Sequence, residues 1–170
     1  LDPLYMSYIA KRNEYIPRFI EMASEINDFM RMHAVNLLEA GLSKAGKTIS
    51  GSTVAILGLS YKRNVGDARE TPSTWIIDEI IERGGKVRAY DPFIKSLRTP
   101  SGEVRSEATW QKAVRGADAA IVLVDHDELR SIKMEDVKRL MMPAVVIDCK
   151  NVLTPSEGVI YVGLGKPNGS

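Results

Sequence analysis

From Thr53 onward the chain alternates short, continuously apolar runs with segments of helical periodicity. This alternation constrains the fold more than any other feature. The apolar runs cover residues 53–57, 119–124, 144–148 and 159–162, and the more polar Lys86-Val-Arg-Ala-Tyr90 reads as a further strand. Between the first two strands lies a helical segment, 73–83, with Ile76, Ile77, Ile80 and Ile81 inward and Gly84-Gly85 closing it. A short helix is expected over 108–115, with Trp110 and Val114 on one face, and two helical pieces over 128–132 and 134–141. Residues 93–106 read as polar and irregular. Strands that are apolar throughout are buried on both faces, which is the pattern of a parallel sheet covered by helices. With right-handed crossovers, the simplest order of the five strands is 2-1-3-4-5, with the switch point between the first and third. The expected fold class is α/β, a Rossmann-like parallel sheet with helices on both faces.

The segment before Thr53 has a different period. Residues 2–12 have helical spacing, with Leu4, Tyr8 and Ile9 on one side, Asp2 placed as an N-cap and Pro3 in the first turn. From Ile16 to about Ala45, apolar residues from Phe19 to Leu42 recur at steps of three and four. Such a helix is about 40 Å long at 1.5 Å per residue, longer than a small domain is wide. It reads as a connecting or dimerisation helix, its methionines filling a core. Gly46, Ser50 and Gly51 form the linker that follows. The expected organisation is a helical segment over 1–50, an α/β domain over 51–165 and a frayed tail over 166–170. The opening Leu1-Asp2-Pro3 reads as the middle of a longer polypeptide.

A net charge of +1, with acids and bases intermixed, gives neither a nucleic-acid-binding stripe nor a membrane-binding face. No apolar run reaches the roughly 18 residues of a membrane span. The lone cysteine, Cys149, allows no intramolecular disulfide and fits a reducing, cytoplasmic setting.

The residues that could carry chemistry gather after the strands. The turn after the first strand reads Gly58-Leu-Ser-Tyr-Lys-Arg, without the glycines that let a dinucleotide pyrophosphate approach the backbone. Bulk and positive charge stand there instead. Lys62 can reach a phosphate as a flexible point charge, Arg69 can make a planar two-pronged contact, and Tyr61 offers a flat face and a hydroxyl. The alternative is a solvated loop whose Lys62, Arg63 and Arg69 pair with Asp67 and Glu70. Lys150 follows the fourth strand at the same edge, about 10 Å from the first strand. It either shares a phosphate with Lys62 or is an exposed loop lysine. Asp91 reads as a turn-former before Pro92, Cys149 as a structural thiol, and His126, between two aspartates, as part of a helix-capping turn. His33 reads as a surface or interface residue.

Certain words in the chain are more specific. Leu57-Gly-Leu59, Tyr61-Lys62, Asn64, Asp67 and Arg69-Glu-Thr-Pro72 resemble the segment that opens the C-terminal domain of the nucleotide-sugar 6-dehydrogenases, the UDP-glucose, GDP-mannose and UDP-N-acetylmannosamine dehydrogenase family. Tyr90-Asp-Pro92, Asp125-His126, Asp148-Cys-Lys-Asn151 and Ala23-Ser-Glu-Ile-Asn-Asp28 resemble later and earlier family segments. Leu1-Asp-Pro-Leu-Tyr5 and the long helix look most like the UDP-N-acetylmannosamine branch. Thr71, where the family typically has serine, is a mild departure.

The resemblance implies a two-step oxidation of a sugar C6 hydroxyl to a carboxylate, using two NAD. It implies a family cysteine a few residues upstream of the Asp-Pro matched by Asp2-Pro3, and an NAD-binding domain before that, neither within these residues. Asp2 matches the family's catalytic aspartate, Tyr61 and Lys62 match nucleotide-sugar contacts, and Arg69 matches an NAD contact. Lys150 matches a cationic substrate position that is often arginine. The resemblance also implies a UDP-sugar partner, a homodimer through the long helix and an inactive fragment. A UDP-glucose or GDP-mannose 6-dehydrogenase is the alternative within the class, and a non-catalytic nucleotide-binding or dimerisation module is the alternative from outside it.

Overall fold

The computed structural model describes residues 2–166, with side chains from Tyr5 onward. All of the tail expected to fray except Lys166 lies outside the described residues. The chain divides into two compact units at His33/Ala34. The change of composition at 50/51 lies within the second unit. The break falls inside a helix, because the residues from Ala34 onward belong to the core of the α/β unit.

The first unit holds α1 (Asp2–Arg12) and the first part of α2 (Arg18–Lys44). Within it Tyr5, Met6, Tyr8, Tyr15, Phe19, Met22, Ile26 and Phe29 are exposed, Phe19 to 83%. Met22, expected as core filling, is therefore on the surface. Lys11 pairs with Glu21.

The second unit contains a five-stranded parallel sheet of β1 (Thr53–Leu57), β2 (Lys86–Tyr90), β5 (Ala119–Val122), β6 (Val145–Asp148) and β7 (Ile160–Gly163). Its order is β2-β1-β5-β6-β7, the order the sequence predicts. The remaining strands, β3 (Ser96–Thr99) and β4 (Gly102–Arg105), form an antiparallel hairpin in the stretch that reads as irregular. Two strands of four residues, polar at alternate positions, leave little periodicity to read. The usable signal is Leu97 and Val104 on either side of Pro100-Ser-Gly102.

Alternate residues of each strand enter separate cores. On one face Val54, Ile56, Ile121, Val145 and Ile147 meet Val35, Leu38 and Leu42 of α2 and Ile76, Ile77 and Ile80 of α3 (Pro72–Glu82). Gly41 lets α2 lie against the sheet, since a Cβ there would stand 2.9 Å from the Ile147 side chain. On the other face Ala55, Leu57, Ala120, Val122 and Val146 meet Trp110 and Val114 of α4 (Trp110–Val114), Leu129 of α5 (Asp127–Arg130), and Met134 and Val137 of α6 (Met134–Leu140). Full burial of each Ile, Leu or Val contributes about 1.5–3 kcal/mol, so the sheet is held from both sides.

Candidate functional site

Parallel pairing brings the strand ends into one row. Leu57 is in register with Tyr90 and Val122, Val122 with Asp148, and Asp148 with Gly163. The segments after β1, β2, β5 and β6 therefore leave the sheet at the same edge, the edge where open α/β sheets bind ligands.

Gly58 makes the first turn possible. Its φ is +101°, and a Cβ there would lie 2.6 Å from the Val124 Cβ and 2.7 Å from the Val124 nitrogen. The loop then folds around Asp91, which is buried at the end of β2. Oδ2 of Asp91 accepts the Leu59 N–H at 2.6 Å, the Ser60 N–H at 2.9 Å and the Ser60 hydroxyl at 2.8 Å. Oδ1 accepts the N–H groups of Phe93 at 2.8 Å and Ile94 at 3.0 Å. Burial pushes the Asp91 pKa up, but hydrogen bonds from His126, Leu59, Phe93 and Ser60 outweigh it and hold the carboxyl well below its ordinary range. Asp91 does form the turn expected of it, and in addition it organises the β1 loop.

His126 departs further from expectation. It begins α5 without making a side-chain cap bond. It is completely buried, with Nδ1 accepting the Asn64 N–H at 2.9 Å and Nε2 lying 3.1 Å from Asp91 Oδ2. Its histidine type and position after a strand are visible in the sequence. Its partners, 35 and 62 residues away, are not. Asn64, at φ +56°, donates to Asp127 through Nδ2 at 2.6 Å and accepts from the Asp127 N–H at 3.2 Å, while Arg63 pairs with Asp127.

The predicted cations separate into two kinds. Lys62 and Lys150 are exposed, and neither ammonium makes a hydrogen bond or ion pair among the described residues. Tyr61 is also exposed, beside Lys62. Arg69 is 88% exposed yet engaged: Nε donates to Asp67 Oδ1 at 3.0 Å and Nη2 to Asp67 Oδ2 at 2.7 Å. These bonds bring the Asp67 pKa down to about 2. The loop thus satisfies the solvated-loop alternative through Arg69 alone, since Arg63 pairs with Asp127 instead, and Lys62 makes no ion pair among the described residues. Thr71 keeps a capping hydroxyl, accepting the Ser73 N–H at 3.3 Å.

A second buried carboxylate anchors the Lys150 loop. Asp148 accepts the N–H groups of Lys150 at 3.0 Å, Val152 at 2.8 Å and Leu153 at 2.8 Å, and the Tyr161 hydroxyl at 3.0 Å. The Cys149 thiol is pushed up to about 12 by burial and then by the Asp148 charge, which suits the structural role expected of it. The Asp2 side chain lies outside the described residues. No group of three or more metal-ligating side chains occurs among the described residues, and no helix there is long and apolar enough to cross a membrane.

The Leu59 and Ser60 N–H groups, which would face a pyrophosphate, are both taken by Asp91, and the second and third glycines of the fingerprint are absent.

Fold and edge together define an open, doubly wound α/β domain whose first strand–helix turn lacks the dinucleotide glycine fingerprint. The UDP binding domain of the UDP-glucose/GDP-mannose dehydrogenase family matches residues 55–155, and the chain belongs to that family. It is 32% identical over 148 residues to a UDP-N-acetyl-D-mannosamine dehydrogenase of Pyrococcus horikoshii, covering 86% of this chain and 33% of the relative. It is 33% identical over 172 residues to the UDP-glucose 6-dehydrogenase TuaD of Bacillus subtilis, covering 98% and 36%. The crystal structure of an NDP-N-acetyl-D-galactosaminuronic acid dehydrogenase from Methanosarcina mazei superposes with a TM-score of 0.79 at 35% identity, over 86% of this chain and 31% of that one. The chain spans about a third of the length of these relatives.

Proposed function

We propose that this chain is the C-terminal, nucleotide-sugar-binding part of an NAD-dependent dehydrogenase that oxidises UDP-N-acetylmannosamine to its uronic acid. The observation that carries the reading is the pair of ammonium groups, Lys62 and Lys150, without ion pairs among the described residues and on loops at one sheet edge. Each can donate to a diphosphate oxygen, a charge-assisted contact contributing on the order of 1.5–3 kcal/mol. Tyr61 supplies a flat face for the base or ribose and a hydroxyl. Arg69 leaves Asp67 to meet NAD, a cofactor held mainly by a domain outside these residues. Asp2 serves the reacting water in the whole enzyme, and the 170-residue chain alone is inactive. The exposed apolar side chains of residues 5–29 support a homodimer built on the long helix. The reading includes a cytoplasmic setting. The 33% identity to a UDP-glucose 6-dehydrogenase over 98% of the chain favours a second reading, in which the sugar is glucose and the nucleotide contacts are the same.

Calorimetric titration with UDP tests the assignment. Wild type should bind weakly, with affinity falling as salt rises. The Lys62→Ala, Lys150→Ala double variant should lose most of that affinity. Equal affinity in the two proteins would remove the assignment.

A further inference from the structure

His126 occupies a place that its sequence neighbours do not explain. Its ring is inaccessible to solvent. It stands between the Asp91 carboxylate and the middle of the loop that carries Tyr61 and Lys62, with the Phe93 ring packed against it at 5.2 Å between centroids. A backbone N–H can only donate, so the Nδ1 facing Asn64 is bare. The proton therefore sits on Nε2, facing a carboxylate oxygen that also accepts from Leu59 and Ser60. Among the described residues, the backbone N–H groups of residues 61–66 make two hydrogen bonds, Tyr61 to the Asp67 carbonyl and Asn64 to His126. Lys62 lies between those two points.

We propose that His126 is a positioning residue for the nucleotide site. It relays the fixed location of the Asp91 carboxylate to Asn64 and so sets where Tyr61 and Lys62 stand. The inference rests on the reading of this loop as a nucleotide contact.

Two substitutions separate the halves of the relay. His126→Gln keeps an N–H donor within reach of Asp91 and presents no acceptor at the Nδ1 position. His126→Asn places an amide oxygen near the Nδ1 position and falls short of Asp91. UDP titrations of the 170-residue chain, with thermal unfolding of each variant in parallel, read the outcome. His126→Gln should weaken UDP binding about tenfold, the size of one lost hydrogen bond, while remaining the more stable variant. His126→Asn should recover most of the affinity while being the less stable one. Affinity that followed stability in both variants, or wild-type affinity in both, would overturn the inference. Unchanged affinity in Lys62→Ala, Lys150→Ala would instead overturn the nucleotide assignment beneath it. Should neither His126 variant fold, nitrogen-15 spectra of the wild-type ring decide. A proton on Nε2, with an Asn64 amide that exchanges more slowly when UDP is added, supports the relay. A proton on Nδ1, or an Asn64 amide indifferent to UDP, overturns it.

Discussion

Asp91 and Asp148 are both buried carboxylates at the carboxyl edge of the sheet, and they differ in where their donors come from. Asp148 gathers Lys150, Val152, Leu153 and Tyr161, all within 13 residues of itself. Asp91 gathers Leu59 and Ser60 from the β1 turn and His126 from beyond β5, up to 35 residues away, along with its neighbours Phe93 and Ile94. The first arrangement shapes one loop. The second ties three segments together, so it forms only once the sheet has brought β1, β2 and β5 side by side.

The sharpest break is to remove each carboxylate. Asp91→Ala strands buried N–H and O–H donors on three segments and should lower unfolding free energy by about 3–5 kcal/mol, with UDP binding lost. Asp148→Ala should cost less, about 2–3 kcal/mol, and loosen residues 149–153 with little change around Lys62. Urea unfolding and amide exchange measure both. Equal costs, or loosening of both loops by either variant, would erase the distinction.

Gly58→Ala attacks the non-local arrangement from the backbone. The added Cβ meets the Val124 Cβ and nitrogen at a φ of +101°, so a loss of roughly 2–4 kcal/mol is expected. Val124→Ala should not rescue it, because the contacted atoms remain. A rescue on urea unfolding would show that the turn yields more than its geometry implies. Tyr161→Phe probes the local arrangement, removing the one side-chain donor to Asp148 among the described residues and leaving the backbone donors in place. Its expected cost is about 0.5–1.5 kcal/mol, without effect on the β1 loop. Burial, and then the Asp148 charge, raises the pKa of the Tyr161 phenol, so its absorbance should titrate only in strong alkali in wild type.

The smallest effect concerns Asp67. Its folded pKa of about 2 lies below the ordinary 3.8. The pair with Arg69 therefore contributes stability above about pH 4, and that contribution is lost as the pH falls from there towards 2. Carbon-13 titration of Asp67 should move up towards the ordinary value in Arg69→Ala. A midpoint that did not move would mean that Arg69 is already free to turn elsewhere.

The sheet is legible in the sequence because runs such as Val54-Ala-Ile-Leu57 and Val145-Val-Ile147 admit few other placements. The cationic loop is legible because Tyr61, Lys62 and Arg69 cluster in sequence. The Asp91–His126–Asn64 connection is not. Each residue has an innocent local reading, and only tertiary pairing shows that one carboxylate oxygen serves donors from two distant segments. The β3–β4 hairpin escapes for the opposite reason, since its four-residue strands carry too few apolar positions to establish a period.

Helix α2 has a consequence for transplanting this domain between proteins. The eye would cut at the glycines and serine of 46–51, where the composition changes. A graft made there would arrive without Val35, Leu38, Gly41 and Leu42, the layer that seals one face of the sheet. In any recombination of modules, natural or designed, the segment that carries this core begins at Ala34, in the middle of an unbroken helix.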